Sequence, residues 1–196
     1  DHEVFYKDEF KTIPVVKQLL DKAYKQLGSS GGGNHFVEFG IVKLDNPLPE
    51  WKLEAKEYVA VLSHSGSRGL GANIAKHYTY LASKQCPLPK NVQHLAWLDL
   101  NTHDGQEYWM AMNLAGEYAK ACHEDIHRRL AKALGKRIVV TIENHHNFAW
   151  KEMVDGKECI VHRKGATPAA KGQLGIIPGS MTAPGFIVMG KGNEDS

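Results

Sequence analysis

No stretch of this 196-residue chain is apolar for long enough to cross a bilayer, because a spanning helix needs about 20 such residues. The first residues, Asp1, His2 and Glu3, are charged and do not resemble a secretory signal, so the expectation is a cytoplasmic location. Cysteine is scarce. The three present, Cys86, Cys122 and Cys159, are widely spaced and form no C-x-x-C pair, which argues against a zinc ribbon or a redox motif. They are read as reduced, mostly buried thiols. A strong charge excess is also missing. A formal net charge of +2 gives no general attraction for polyanions, so any RNA contact must come from a local patch. Internal repeats and low-complexity tracts are absent, and the length suits one well-buried domain over residues 1–196.

Histidine is what the chain has in excess, with 11 residues. Thr12 and Pro14 suggest an N-cap followed by proline in the first turn. Val15, Val16, Leu19, Leu20, Ala23, Tyr24 and Leu27 recur at helical spacing up to Gly28. A Gly/Ser-rich stretch over 28–33 leads into a strand over 34–39, and 58–62 reads as a second, buried strand. A helix is expected to about Ala82, a long one over Gln106–Leu134, and a β-branched strand over Arg137–Ile142. Asp155-Gly156 predicts a hairpin turn, Ile176-Ile177 precedes Pro178, and Phe186–Met189 reads as a last strand. Helices and strands do not alternate as βαβ units. The fold class expected is α+β, with mixed β-sheets, flanking helices and a metal site at strand ends.

His64, His145/His146 and His162 are each expected just past a strand, while His35 opens one. Convergent strand ends can gather imidazoles from distant positions, as a metal site requires. Imidazole suits zinc, copper, iron or nickel, and manganese wants oxygen ligands as well, so the pattern does not name the metal. The loop Ser65-Gly66-Ser67-Arg68-Gly69-Leu70-Gly71 lies between a strand and a helix, where backbone N–H groups can meet a phosphate. It is not a Walker A loop, and a tight turn that needs glycine would produce the same pattern. His162-Arg163-Lys164-Gly165 forms the basic cluster beside the histidines, with Lys171 nearby. Arg68, Arg163 and Lys164 are candidates for positioning phosphate or RNA. The pair Arg128-Arg129 reads as a solvated helix face.

Five segments in order resemble the RtcB family of RNA-splicing ligases. They are Gly33-Asn34-His35-Phe36-Val37-Glu38, the run from His64 to Gly71, Asn144-His145-His146-Asn147, His162-Arg163-Lys164-Gly165-Ala166 and Ile177-Pro178-Gly179-Ser180-Met181. The resemblance implies an RtcB-like fold and joining of RNA 2′,3′-cyclic phosphate or 3′-phosphate ends to 5′-hydroxyl ends, using GTP and Mn²⁺. It implies that His35, His64 and His146 are metal ligands. Guanylate contacts are implied at Asn34, His35, Phe36, Val37, Glu38, His146, Asn147, Pro178, Gly179, Ser180 and Met181. Phe36 would lie against guanine, and Glu38 would accept its N–H groups. The family's upstream Asp-x-x-Cys-Gly segment and its downstream segment bearing the guanylylated histidine have no match here, and the catalytic histidine is therefore not assigned. The sequence thus reads as the central part of such an enzyme. A guanylate- or RNA-binding chain without catalysis, and an unrelated histidine-rich metal hydrolase, are the alternatives.

Overall fold

The computed structural model describes residues 2–180 and 182–193. The chain divides into two compact units, residues 1–137 and 138–196, and each is described by itself. Helices and small antiparallel sheets together make an α+β protein. No described helix is long and apolar enough to cross a membrane.

The first unit is built on helices. Short helices α1 (Glu9–Thr12), α2 (Pro14–Lys17) and α3 (Leu20–Gln26) precede the long α4 (Arg68–Gln85) and α5 (His103–Ala133). The periodic stretch from Val15 to Leu27 is thus two helices where one was expected. Leu19 N–H reaches back three residues to the Val16 carbonyl, and this tight turn separates α2 from α3. Thr12 does not cap α2, because it ends α1 and its hydroxyl donates to the Asp8 carbonyl.

Leu70, Ile74, Tyr78 and Ala82 recur every fourth residue on α4 and are buried. They meet a stripe on α5 that includes Ala111, Leu114, Ala115, Tyr118 and Cys122. The alanines allow the helices to approach closely, and each large apolar side chain buried here contributes about 1.5–3 kcal/mol. Tyr118 is fully buried and donates its hydroxyl to the Ala23 carbonyl, joining α5 to α3. Burial also pushes the Cys122 thiol above its ordinary pKa, which keeps it protonated and unreactive. Thr102 caps α5 by accepting from Gly105 N–H at 3.2 Å.

Strands β1 (Phe36–Lys43) and β2 (Glu57–His64) pair antiparallel in this unit, with Phe36 opposite His64 and Val37 opposite Ser63. The second unit holds two further antiparallel pairs, β3 (Asn147–Val154) with β4 (Lys157–Lys164) and β5 (Leu174–Ile177) with β6 (Phe186–Met189). Asp155 and Gly156 turn the β3–β4 hairpin with φ of 49° and 74°, the paired positive values a two-residue turn of this hand requires. The strand expected over Arg137–Ile142 does not form. β-branched propensity cannot replace a ladder partner, and Val139 remains 63% exposed.

Candidate metal and guanylate site

In the first unit the ends of β1 and β2 bring three candidate residues together. Phe36 and His64 are directly opposed, so their side chains share a sheet face, and their ring centroids are 5.5 Å apart. His35, the residue before β1, sets its ring edge-on to His64 at 6.0 Å. Glu38 lies two residues beyond Phe36 and therefore projects from the same face. Val37 projects from the opposite face, as does Ser63. Ser63 Oγ makes a 2.9 Å hydrogen bond with His127 Nε2 of α5. The helix thus holds β2 at the residue before His64. Burial lowers the pKa of His127 and favours the neutral ring there.

The glycine-rich segment before β1 has a specific packing role. A Cβ on Gly31 would fall on the Arg68 guanidinium and within 2.6 Å of His35 Nδ1, and its φ of 110° suits glycine alone. Arg68 Nε donates to Ser29 Oγ at 3.2 Å. Arg68 opens α4 with a φ of 54°, a left-handed conformation that is unfavourable for a long side chain. The sequence carries no signal for this conformation.

His35 Nδ1 is buried and makes no hydrogen bond. A buried imidazole nitrogen without a partner is costly unless it binds something, and its lone pair is suited to a transition metal. With His64 this gives two imidazole donors, which fit part of a metal's coordination sphere. Among the described residues, no group of three or more His, Cys, Asp or Glu side chains gathers to hold a metal. Oxygen ligands from water or phosphate would be required to complete a sphere for manganese.

In the second unit, Asn147 opens β3 and its Oδ1 accepts from Gly165 N–H at 2.9 Å, while the His146 carbonyl accepts from Ala166 N–H. His145 and His146 precede a strand and do not come after one, as the strand over Arg137–Ile142 is not formed. His162 lies inside β4 opposite Ala149, not past its end. Arg163 forks onto Glu152 with bonds of 2.5 and 2.8 Å and lies 5.2 Å over the Trp150 ring. The pairing lowers the Glu152 pKa and raises that of Arg163. Lys164 ends β4 opposite Asn147. Near the last strands, Gly179 must be glycine because a Cβ would strike the carbonyls of Ala183 and Pro184. Ser180 Oγ accepts from Thr182 N–H at 3.4 Å. Met181 lies outside the described residues.

Two structural roles go beyond the sequence reading. Asn144 accepts from Ile176 N–H and donates to the Leu174 carbonyl, fixing the 144–147 segment to β5. Arg128 and Arg129 are more than a solvated face. Both pair with Asp125, which is 5% exposed, and their heads stay in water.

Comparison with known proteins defines the class. The family model described as tRNA-splicing ligase RtcB matches residues 7–196. An RNA-splicing ligase RtcB of Escherichia coli K12 is 35% identical over 96% of this chain and 47% of its own length. The tRNA-splicing ligase RtcB of Nanoarchaeum equitans is 33% identical over 95% of this chain and 45% of its own. This chain belongs to the RtcB family. It spans about half the length of the curated relatives it matches.

Proposed function

We propose that this chain carries the metal- and guanylate-binding core of an RNA ligase joining 2′,3′-cyclic phosphate or 3′-phosphate ends to 5′-hydroxyl ends, with GTP and Mn²⁺. The supporting observation is the grouping of His35, Phe36 and His64 at the meeting ends of β1 and β2, with His35 Nδ1 buried and unpartnered. Family membership supports RNA ligation as the activity, since the relatives are named as RNA- and tRNA-splicing ligases. His35 and His64 would hold metal through imidazole nitrogens. When bound there, a divalent cation would neutralise charge on phosphoryl oxygens.

Phe36 offers a ring on which guanine can stack, and Glu38 projects from the same face. The Glu38 carboxylate can accept the two N–H groups on guanine's Watson–Crick edge, whereas adenine presents an acceptor nitrogen at one of those positions. Arg68 would meet a phosphate beside the α4 N-terminus, where the helix dipole favours anions although Gly69 N–H is already bonded to Gln26 Oε1. The roles of His146, Asn147, Pro178, Gly179, Ser180 and Met181 rest on the motif resemblance. So do those of Asn34, Val37, Arg163 and Lys164.

Equilibrium dialysis of Mn²⁺ and GMP against the chain tests the reading. His64→Ala is expected to weaken both by at least about tenfold, equivalent to ~1.4 kcal/mol. Phe36→Ala should weaken GMP and spare Mn²⁺. Unchanged Mn²⁺ affinity in His64→Ala would show that the metal is held elsewhere.

A further inference from the structure

We propose that the outer face of α4 around Tyr80 is a docking surface for single-stranded RNA, separate from the residues that would hold metal and guanylate. The proposal rests on the RNA-ligase reading above and adds to it a path for the substrate strand. Its first support is the helix itself. Leu70, Ile74, Tyr78 and Ala82 form the buried stripe of α4. Lys76, Tyr80 and Lys84 repeat at the same interval but are offset by two residues, about 200° around the axis. They therefore occupy the face opposite the core. Tyr80 is 60% exposed there, and the Lys84 ammonium sits 5.4 Å from its ring centroid.

Charge is the second support. Between Glu57 and Asp99 the chain contains no acidic residue, yet it carries Arg68, Lys76, Lys84 and Lys90. In a chain of formal net charge +2 this stretch is locally basic. The carboxylates that contact α4, Asp104 at Gln85 and Glu107 at Tyr78, do so on the side of its buried stripe. The third is shape. A shallow, open depression of about 620 Å³ lies between this helix face and the segment after it, lined by Lys76, Thr79, Tyr80, Lys90, Gln93 and His94 among others.

A phenol ring open to solvent among lysines matches the chemistry of single-stranded nucleic acid, in which bases stack on aromatics while phosphates meet cations. An acidic peptide would use the lysines but would gain no stacking on Tyr80. Tyr80 lies twelve positions beyond Arg68 on one continuous helix, so the two are separated by about 18 Å along the axis. A strand whose reacting phosphate lies at Arg68 could therefore continue along α4 to Tyr80.

The test is fluorescence anisotropy of an oligouridine of about twelve nucleotides with a 3′-hydroxyl, titrated with the 196-residue chain at several salt concentrations. Tyr80→Ala should weaken binding by ~5–150-fold and Tyr80→Phe should leave it intact. Lys76→Gln with Lys90→Gln should reduce the slope of log affinity against log salt by about 1.4. Inorganic polyphosphate, which has no bases, should bind Tyr80→Ala as it binds the parent. The proposal is overturned if Tyr80→Ala binds RNA unchanged, or if it loses RNA and polyphosphate in parallel. Displacement of RNA by an oligoglutamate peptide that also depends on Tyr80 would assign the surface to an acidic protein partner instead. The hydroxyl-ended probe needs neither Mn²⁺ nor guanylate. Loss of GMP binding with RNA docking intact would remove the proposed function alone, and the converse would remove this surface alone.

Discussion

The contact between His127 and Ser63 yields a prediction whose magnitude and sign are both set by its surroundings. The imidazole bonds Ser63 Oγ at 2.9 Å, and both residues are half-buried. Replacement by leucine retains a good helix former but deletes the bond. Water can still reach the serine hydroxyl, so the loss should be about 0.5–1.5 kcal/mol and not the larger penalty of a sealed polar group. The pH dependence is more diagnostic. Burial lowers the His127 pKa below its ordinary value near 6.5. Between the lowered and ordinary values the unfolded chain binds the proton and the folded chain does not, so stability rises with pH across that window. The contribution is fully present above the ordinary value and is lost as pH falls through the window, at no more than ~1.4 kcal/mol per pH unit. Urea unfolding monitored by circular dichroism at 222 nm would report mainly the helices that carry this contact. His127→Leu should be less stable than the parent at about pH 7.5, and the gap should narrow or invert near pH 5.5. Parallel pH profiles for parent and variant would refute the assignment of a neutral, desolvated ring.

Two further outcomes are expected. Arg163 holds the Glu152 carboxyl below its usual range, so their pairing supports the hairpin above the ordinary glutamate pKa and is lost as pH falls through the lowered one. Glu152→Gln should cost ~0.2–1 kcal/mol at neutral pH and flatten that acid limb, measured by urea unfolding monitored by tryptophan fluorescence. Tyr118→Phe should cost only about 0.5–1.5 kcal/mol in thermal unfolding, despite complete burial, because the Ala23 carbonyl keeps its bond from Leu27 N–H.

The elements visible in the sequence are those with local causes. The α5 pattern, the Gly135 stop, the Asp155-Gly156 turn and the Phe186–Met189 strand depend on periodicity or on a backbone conformation that few residues accept. The misread elements depend on partners. Arg137–Ile142 has strand composition but no strand to pair with, and the Val15–Leu27 pattern is interrupted at a turn that its apolar spacing does not reveal. Arg128 and Arg129 read as solvated because their heads are in water. Asp125 stands three and four positions before them on the same helix, but its burial is visible only after the helix is packed.

The same distinction applies to the candidate site. The identity of His35, Phe36 and His64 can be read from motifs, but their grouping depends on register, and a slip of one residue would put His64 on the face that Ser63 now turns toward His127. Gly31 fixes the approach from the other side. Its missing side chain is the space taken by the Arg68 guanidinium and the His35 ring. Arg68 is held there by Ser29 and by a left-handed backbone at the start of α4, so the loop after His64 and the segment before His35 lock onto each other through one arginine. Gly31 thus acts here by close packing, whereas Gly32 and Gly33 have open space around them. Any side chain at position 31 would have to displace either the candidate phosphate-binding cation or the candidate metal ligand.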